Sequence, residues 1–157
     1  MIVLSRVDDR LIHGQVVEGW LRVVQARRIV VVSDQVAQDS FQASLMRLAV
    51  PPDVELTILP VAEAAKDLTA SSWKEERVML LMPSLKEARR LAESGWNPSP
   101  LNLGGLHDAP GRTAYTPSLA LSSADLDDLR ALIDRKVSID TRALPTDENV
   151  PVETYFS

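Results

Sequence analysis

Val78-Met79-Leu80-Leu81-Met82 is an unbroken apolar run, followed at once by Pro83-Ser84 and then by the mixed stretch Leu85–Glu93. A strand that is apolar at every position suits the middle of a sheet covered on both faces, because alternation is needed only where one face meets water. Pro83 suits a helix start, since its missing N–H costs nothing there. Strand, short turn and helix together make a βα unit. The same unit recurs along the chain. Strands are predicted over Ile2–Ser5, Ile29–Ser33, Glu55–Leu59, Arg77–Met82 and Leu101–Leu103, and helices over Gly14–Gln25, Gln35–Ala49, Val61–Leu68, Leu85–Glu93 and Ala124–Arg135. Asp34 is expected to cap the second helix, Pro60 to begin the third, and Gly95 to end the fourth. Ser122 with Asp125 matches a capping arrangement.

The expected fold class is therefore α/β: one open, mostly parallel sheet flanked by helices, in a single domain over residues 1–157. Val137–Thr141 alternates as a half-buried strand at an edge, expected to be antiparallel. Tyr115–Leu121 reads as a further strand, and Pro117 confines it to an edge or a short segment. Ala109–Thr113 is a Pro/Gly turn region, and residues 145–157 read as an irregular acidic tail.

Composition narrows the function. The chain has 157 residues, 22 acidic against 17 basic, and a formal charge of −5. The basic residues are scattered, which argues against a nucleic-acid partner. With no cysteine, disulfides, thiolate catalysis and Cys-based zinc sites are excluded. No apolar run approaches the ~20 residues that span a bilayer. Charge at Arg6 and Asp8 comes too early for a signal-peptide core, so a cytoplasmic location is expected, with membrane association only through a partner.

The chemistry concentrates in Arg6-Val7-Asp8-Asp9-Arg10-Leu11-Ile12-His13-Gly14-Gln15, between the first strand and the first helix. Imidazole offers a neutral nucleophilic nitrogen near neutral pH. Arginine grips an anion through a planar fork, and Gly14 with the first amides of a helix lets backbone approach it. The arrangement suits a histidine that receives a phosphoryl group. The same stretch also reads as a solvated connection held by local ion pairs.

This segment, with Val16, resembles the active-site motif of the mannose/sorbose-family IIB subunits of the bacterial sugar phosphotransferase system. The resemblance extends to Arg28-Ile29-Val30-Val31-Val32 with Asp34, to Ala49-Val50-Pro51-Pro52 and to Asn102-Leu103-Gly104-Gly105, and ends near Leu144–Asp147. Ser33, Leu106-His107 and the end Glu148–Ser157 depart from the family pattern. The resemblance implies that His13 is the phosphorylated residue, through Nδ1, although the sequence itself does not choose between the ring nitrogens. It implies a phosphocarrier that takes its phosphoryl group from a phosphohistidine of a IIA domain. The group then passes to a sugar presented by membrane IIC/IID subunits. A regulatory phosphohistidine switch and a non-covalent anion-binding module are the competing readings, and a homo-oligomer stays open.

In an open α/β sheet the ligand lies outside the carboxyl ends of the strands, where Arg6–His13, Ser33-Asp34, Pro60, Pro83-Ser84 and Asn102–His107 converge. Arg10 is assigned to stabilising the transferring phosphoryl charge, with Arg6 as a second candidate. Asp8 orients an arginine or the imidazole, or caps the loop; Asp9 is expected to be solvated. Gly14 and Gln15 supply backbone amides. Asn102, Gly104, Gly105 and Ser84 are candidates to close a groove, although paired glycines are also turn formers. Two histidines without ligand spacing argue against a metal site at His107-Asp108. Trp20 and Trp73 read as packing residues and Trp96 as a partner anchor. No Gly-rich nucleotide loop is present, so ATP is not expected to be the donor and no cofactor is implied.

Overall fold

The apolar run that decided the fold class lies near the middle of the sheet. In the computed structural model, which describes residues 1–155, β4 (Val78–Met82) has every residue buried. Its side chains divide between two cores. Val78, Leu80 and Met82 join one, and Met79 and Leu81 the other, as a strand of period two requires when both faces are covered.

The chain runs β1 (Ile2–Asp8), a helix α1 that is π-helical over Gln15–Trp20 and α-helical over Leu21–Val24, β2 (Arg28–Val32), α2 (Asp34–Ala37), α3 (Ser40–Ala49) and β3 (Glu55–Leu59). It continues through α4 (Val61–Thr69), β4, α5 (Leu85–Glu93), β5 (Leu101–Gly105), β6 (Thr113–Thr116), β7 (Leu119–Leu121), α6 (Ser123–Asp134) and β8 (Ile139–Asp140). The sheet order is β3-β2-β4-β1-β5-β8, with every pair parallel.

Val16, Trp20, Val36 and Met46 place the helices after β1 and β2 on one face, while Val61, Leu85 and Leu129 place α4, α5 and α6 on the other. Adjacent β1 and β4 therefore send their helices to opposite faces. This opens a crevice at their carboxyl ends, the position where ligands bind in such sheets. The loop carrying His13 leaves β1 at that crevice.

Several local expectations are corrected. The helix expected over Gln35–Ala49 breaks, because Asp39 caps a new start by accepting from the Gln42 amide at 3.0 Å. Asp34 is not the cap of α2. Ser33 is, accepting from the Val36 amide at 3.2 Å. The Asp34 carboxylate instead receives Val61 N at 2.8 Å and Arg90 Nη1 at 2.8 Å, joining the starts of α2 and α4 to α5. The strand within Val137–Thr141 does lie at an edge, but β8 is two residues long and parallel to β5. The α6 crossover carries the chain back across the sheet before it re-enters, which gives a parallel return. Antiparallel pairing occurs instead in the β6–β7 ribbon, with Pro117 in its turn. Ser122 and Asp125 form the anticipated capping box.

The tail is anchored. Val152 is 2% exposed within a 3₁₀ turn, and Tyr155 packs on the core beside Tyr115; Phe156 and Ser157 lie outside the described residues. Trp96, like Trp73, packs partly buried against the core. Among the described residues no helix is long and apolar enough to cross a membrane.

Candidate phosphoryl site at the end of β1

The site is built on a fully buried ion pair. Arg6 and Asp8 point to the same side of β1, two residues apart, and both side chains are 0% exposed. Arg6 donates to Asp8 Oδ2 from Nη2 at 2.9 Å and from Nε at 3.2 Å, to the Gly104 carbonyl at 3.3 Å, and to Asn102 Oδ1. Its guanidinium also lies 5.6 Å from the Trp20 ring centre, with Arg142 at 5.2 Å. Every direction in which Arg6 could reach an anion is taken. Arg6 is therefore no phosphate ligand in this structure; it secures Asp8.

Asp8 cannot bind phosphate either, because an ionised carboxylate only accepts hydrogen bonds. Its Oδ2 lies 2.8 Å from His13 Nε2, and its Oδ1 accepts the Arg10 amide at 3.0 Å. Burial pushes the Asp8 carboxyl up, but the hydrogen bonds from His13 and the Arg10 amide and the charge of Arg6 outweigh it and hold it below the ordinary range. An ionised acceptor at Nε2 fixes the proton there, so Nδ1 carries the free lone pair. His13 is 16% exposed at the side chain, enough for one edge of the ring to meet a partner.

The loop between Asp8 and His13 must turn sharply to bring the imidazole back over Asp8. It does so through Leu11, at φ 55°, whose amide donates to the Asp8 carbonyl at 3.1 Å. A left-handed leucine costs about 1–2 kcal/mol, and its buried side chain in the α1-side core helps to offset it. Arg10 is 44% exposed, and its Nη2 donates to Gln15 Oε1 at 3.0 Å. It is the exposed cation of the site, with its Nε 3.9 Å from Asp8 Oδ1. Gly14 stands at the start of α1, where an added Cβ would meet nothing within 4 Å. The protein leaves that space open.

The groove candidates divide differently. Asn102 is 1% exposed and fully used, with Nδ2 donating to the Arg142 carbonyl at 2.9 Å. Gly104 and Gly105 lie within β5, not in a turn. A Cβ on Gly104 would fall 2.2 Å from Arg6 Nη1, and one on Gly105 would fall 2.3 Å from Asp8 Cγ. These glycines exist to admit the buried ion pair. Ser84 starts α5 and turns its hydroxyl to Glu87.

One part of the site escaped the sequence. Asp9, expected to be solvated, accepts His107 N at 2.8 Å, His107 Nδ1 at 2.7 Å and Arg112 Nη1 at 3.0 Å. No local pattern joins residues 98 positions apart. The only available signal was that both segments end neighbouring strands. Ligating atoms of Asp8, Asp9 and His107 come within 4.8 Å of one another, but Arg6 and Arg112 already neutralise both carboxylates, so a cation would have to displace them.

The family model of the PTS system sorbose subfamily IIB component matches residues 2–157. The chain belongs to this family. The IIB chain is 34% identical to the PTS system fructose-specific EIIB component of Bacillus subtilis, over 93% of its own length and 90% of that protein's. It is 33% identical to the PTS system mannose-specific EIIAB component of Escherichia coli, over its whole length but only 49% of the relative. The chain thus spans about half the length of these mannose-type relatives. The crystal structure of the IIB domain of the sorbose permease from Klebsiella pneumoniae superposes with a TM-score of 0.91 at 30% identity, covering 100% of this chain and 99% of that one.

Proposed function

We propose that this IIB chain is a cytoplasmic phosphocarrier, a protein-Nπ-phosphohistidine–sugar phosphotransferase component, and that His13 Nδ1 is the carrying atom. The observation that carries the reading is the 2.8 Å contact of His13 Nε2 with the buried Asp8. It leaves the other ring nitrogen unprotonated, on a side chain that keeps part of its surface exposed. Nδ1 attacks the phosphorus of a phosphohistidine on a IIA domain; a new P–N bond forms as the donor's P–N bond breaks. In the second step a sugar hydroxyl attacks the same phosphorus, the His13 P–N bond breaks, and the hydroxyl proton is released as the sugar phosphate forms. Phosphoryl transfer of this kind depends on in-line positioning and charge stabilisation. Asp8 supplies the first, and Arg10 with the open backbone at Gly14 and Gln15 supplies the second.

The sugar must come from elsewhere, because His13 sits at an open edge suited to transient encounters with a IIA domain and then with IIC/IID subunits. Phosphorylated chain mixed with sugars alone is expected to yield no sugar phosphate. Adding membranes that hold its cognate IIC/IID subunits is expected to start the transfer. Rapid sugar phosphorylation by the soluble chain alone would refute the carrier reading.

A further inference from the structure

We propose that His107 is a positioning residue for phosphoryl transfer, clamping Asp9 together with Arg112 and thereby fixing the loop that presents Arg10 and His13. This rests on the phosphocarrier reading above and adds to it a residue from the loop after β5.

Asp9 stands between the two residues that shape the reacting face, Asp8 and Arg10. Among the described residues, Arg10 to Gly14 form no hydrogen bond beyond β1 and α1; their partners are Asp8, Gln15, Val16 and Val17. Leu11 packs in the α1-side core, but Asp9 is the point at which this loop is hydrogen-bonded to the loop after β5. Its amide donates to the Gly105 carbonyl at 2.7 Å, and its carboxylate receives the three donors of His107 and Arg112. Since the carboxylate only accepts, the His107 proton sits on Nδ1.

Arg112 is itself braced. It donates to the His107 carbonyl at 2.8 Å and lies 3.5 Å from Asp125, in the capping box that starts α6. A continuous line of support therefore runs from α6 through Arg112 and Asp9 to Arg10. The clamp keeps its anion: burial pushes the Asp9 carboxyl up, but hydrogen bonds from the His107 amide and ring and from Arg112 hold it below the ordinary range. A group one ångström out of place in a transfer reaction costs about a hundredfold in rate. Without these bonds the Asp9 side chain no longer holds the loop in that geometry. The effect should fall on the chemical step rather than on docking, because the clamped atoms face Asp9 and not a partner.

The test compares His107→Ala, His107→Asn and Arg112→Gln in the full chain, measuring kcat and KM for phosphoryl transfer from a phosphorylated IIA domain alongside Tm. Asparagine places an amide N–H where imidazole Nδ1–H lies, so it can keep the bond to Asp9. For His107→Ala the expected result is a kcat lower by about tenfold, from partial loss of positioning, with KM unchanged. His107→Asn should recover most of the rate, and Arg112→Gln should reproduce the fall even if His107→Ala fails to fold. Wild-type kcat in His107→Ala, an Asn variant no faster than the Ala variant, or a change confined to KM would overturn the inference while leaving His13 as carrier. A wild-type chain that accepts no phosphoryl group would remove both readings.

Discussion

At the residue scale two arginines of one motif, which the sequence ranks as first and second candidates for the same task, divide the labour between them. Arg6 is sealed beneath Asp8, and Arg10 is half exposed beside His13. Burial lowers the Arg6 guanidinium pKa against the opposing pull of Asp8, which marks a charge kept inside for its partner's sake. Removing one member of a buried pair strands the other charge, so Arg6 belongs to stability. Arg10, exposed beside His13, is the arginine to which we assign the transferring charge. Arg10→Lys keeps the charge but loses the planar fork that meets a phosphoryl group on two oxygens. The variant should keep the wild-type Tm while transfer slows about a hundredfold or more, the usual consequence of losing an electrostatic donor worth ~2.7–4 kcal/mol. Stopped-flow transfer at the wild-type rate would return Arg10 to the status of a surface residue.

At the scale of elements, β1 and β5 make the site together. Asp8 pairs in register with Gly105, and the missing side chain of that glycine is the space the carboxylate occupies. Gly105→Ala must push Asp8 aside against backbone that has little room to move. A loss of about 1–3 kcal/mol in denaturant unfolding is expected from such overpacking, together with failure of His13 to accept label. Gly14→Ala meets no protein atom, so it should unfold like the wild type. Equal stability of the two variants would show that β5 yields and that the ion pair does not depend on it. The sequence made the parallel strands and most helix limits legible, since β3 and α5 follow directly from periodicity and flanking prolines, but it ended β1 before Arg6 and Asp8 and ran β6 and β7 together as one strand. It did not disclose what the Gly104-Gly105 pair is for. A turn and a close approach of neighbouring side chains demand the same residue, and only the partner strand distinguishes them.

At the scale of the whole molecule, the carboxylates that organise the site also set its response to acid. Asp8, Asp9 and Asp140 all lie below the ordinary carboxylate value, burial pushing each upward and their hydrogen-bonded partners outweighing it. With folded values lowered, the unfolded chain binds more protons as acid is added. The stability they contribute is complete above about pH 4 and is lost as pH falls through the lowered folded values. Denaturant midpoints should therefore hold between neutrality and about pH 5 as far as these groups are concerned, then decline. A midpoint that rose on acidification below that range would contradict their assignment as ionised partners. His13 and Asp8 were readable in the sequence because they lie five residues apart in one motif. His107 and Arg112 were not, because the loop after β5 meets the loop after β1 only through the parallel sheet. The central claim is that His13 Nδ1 carries the phosphoryl group. It is tested most directly by phosphorylating the chain with phosphoenolpyruvate and the general phosphotransferase proteins plus a IIA domain, then reading the histidine nitrogens by NMR. The account predicts an acid-labile, alkali-stable phosphoryl group on Nδ1 of His13, absent in His13→Ala and still formed at endpoint in His107→Ala. Label on Nε2, acid-stable label, or label persisting in His13→Ala would contradict it.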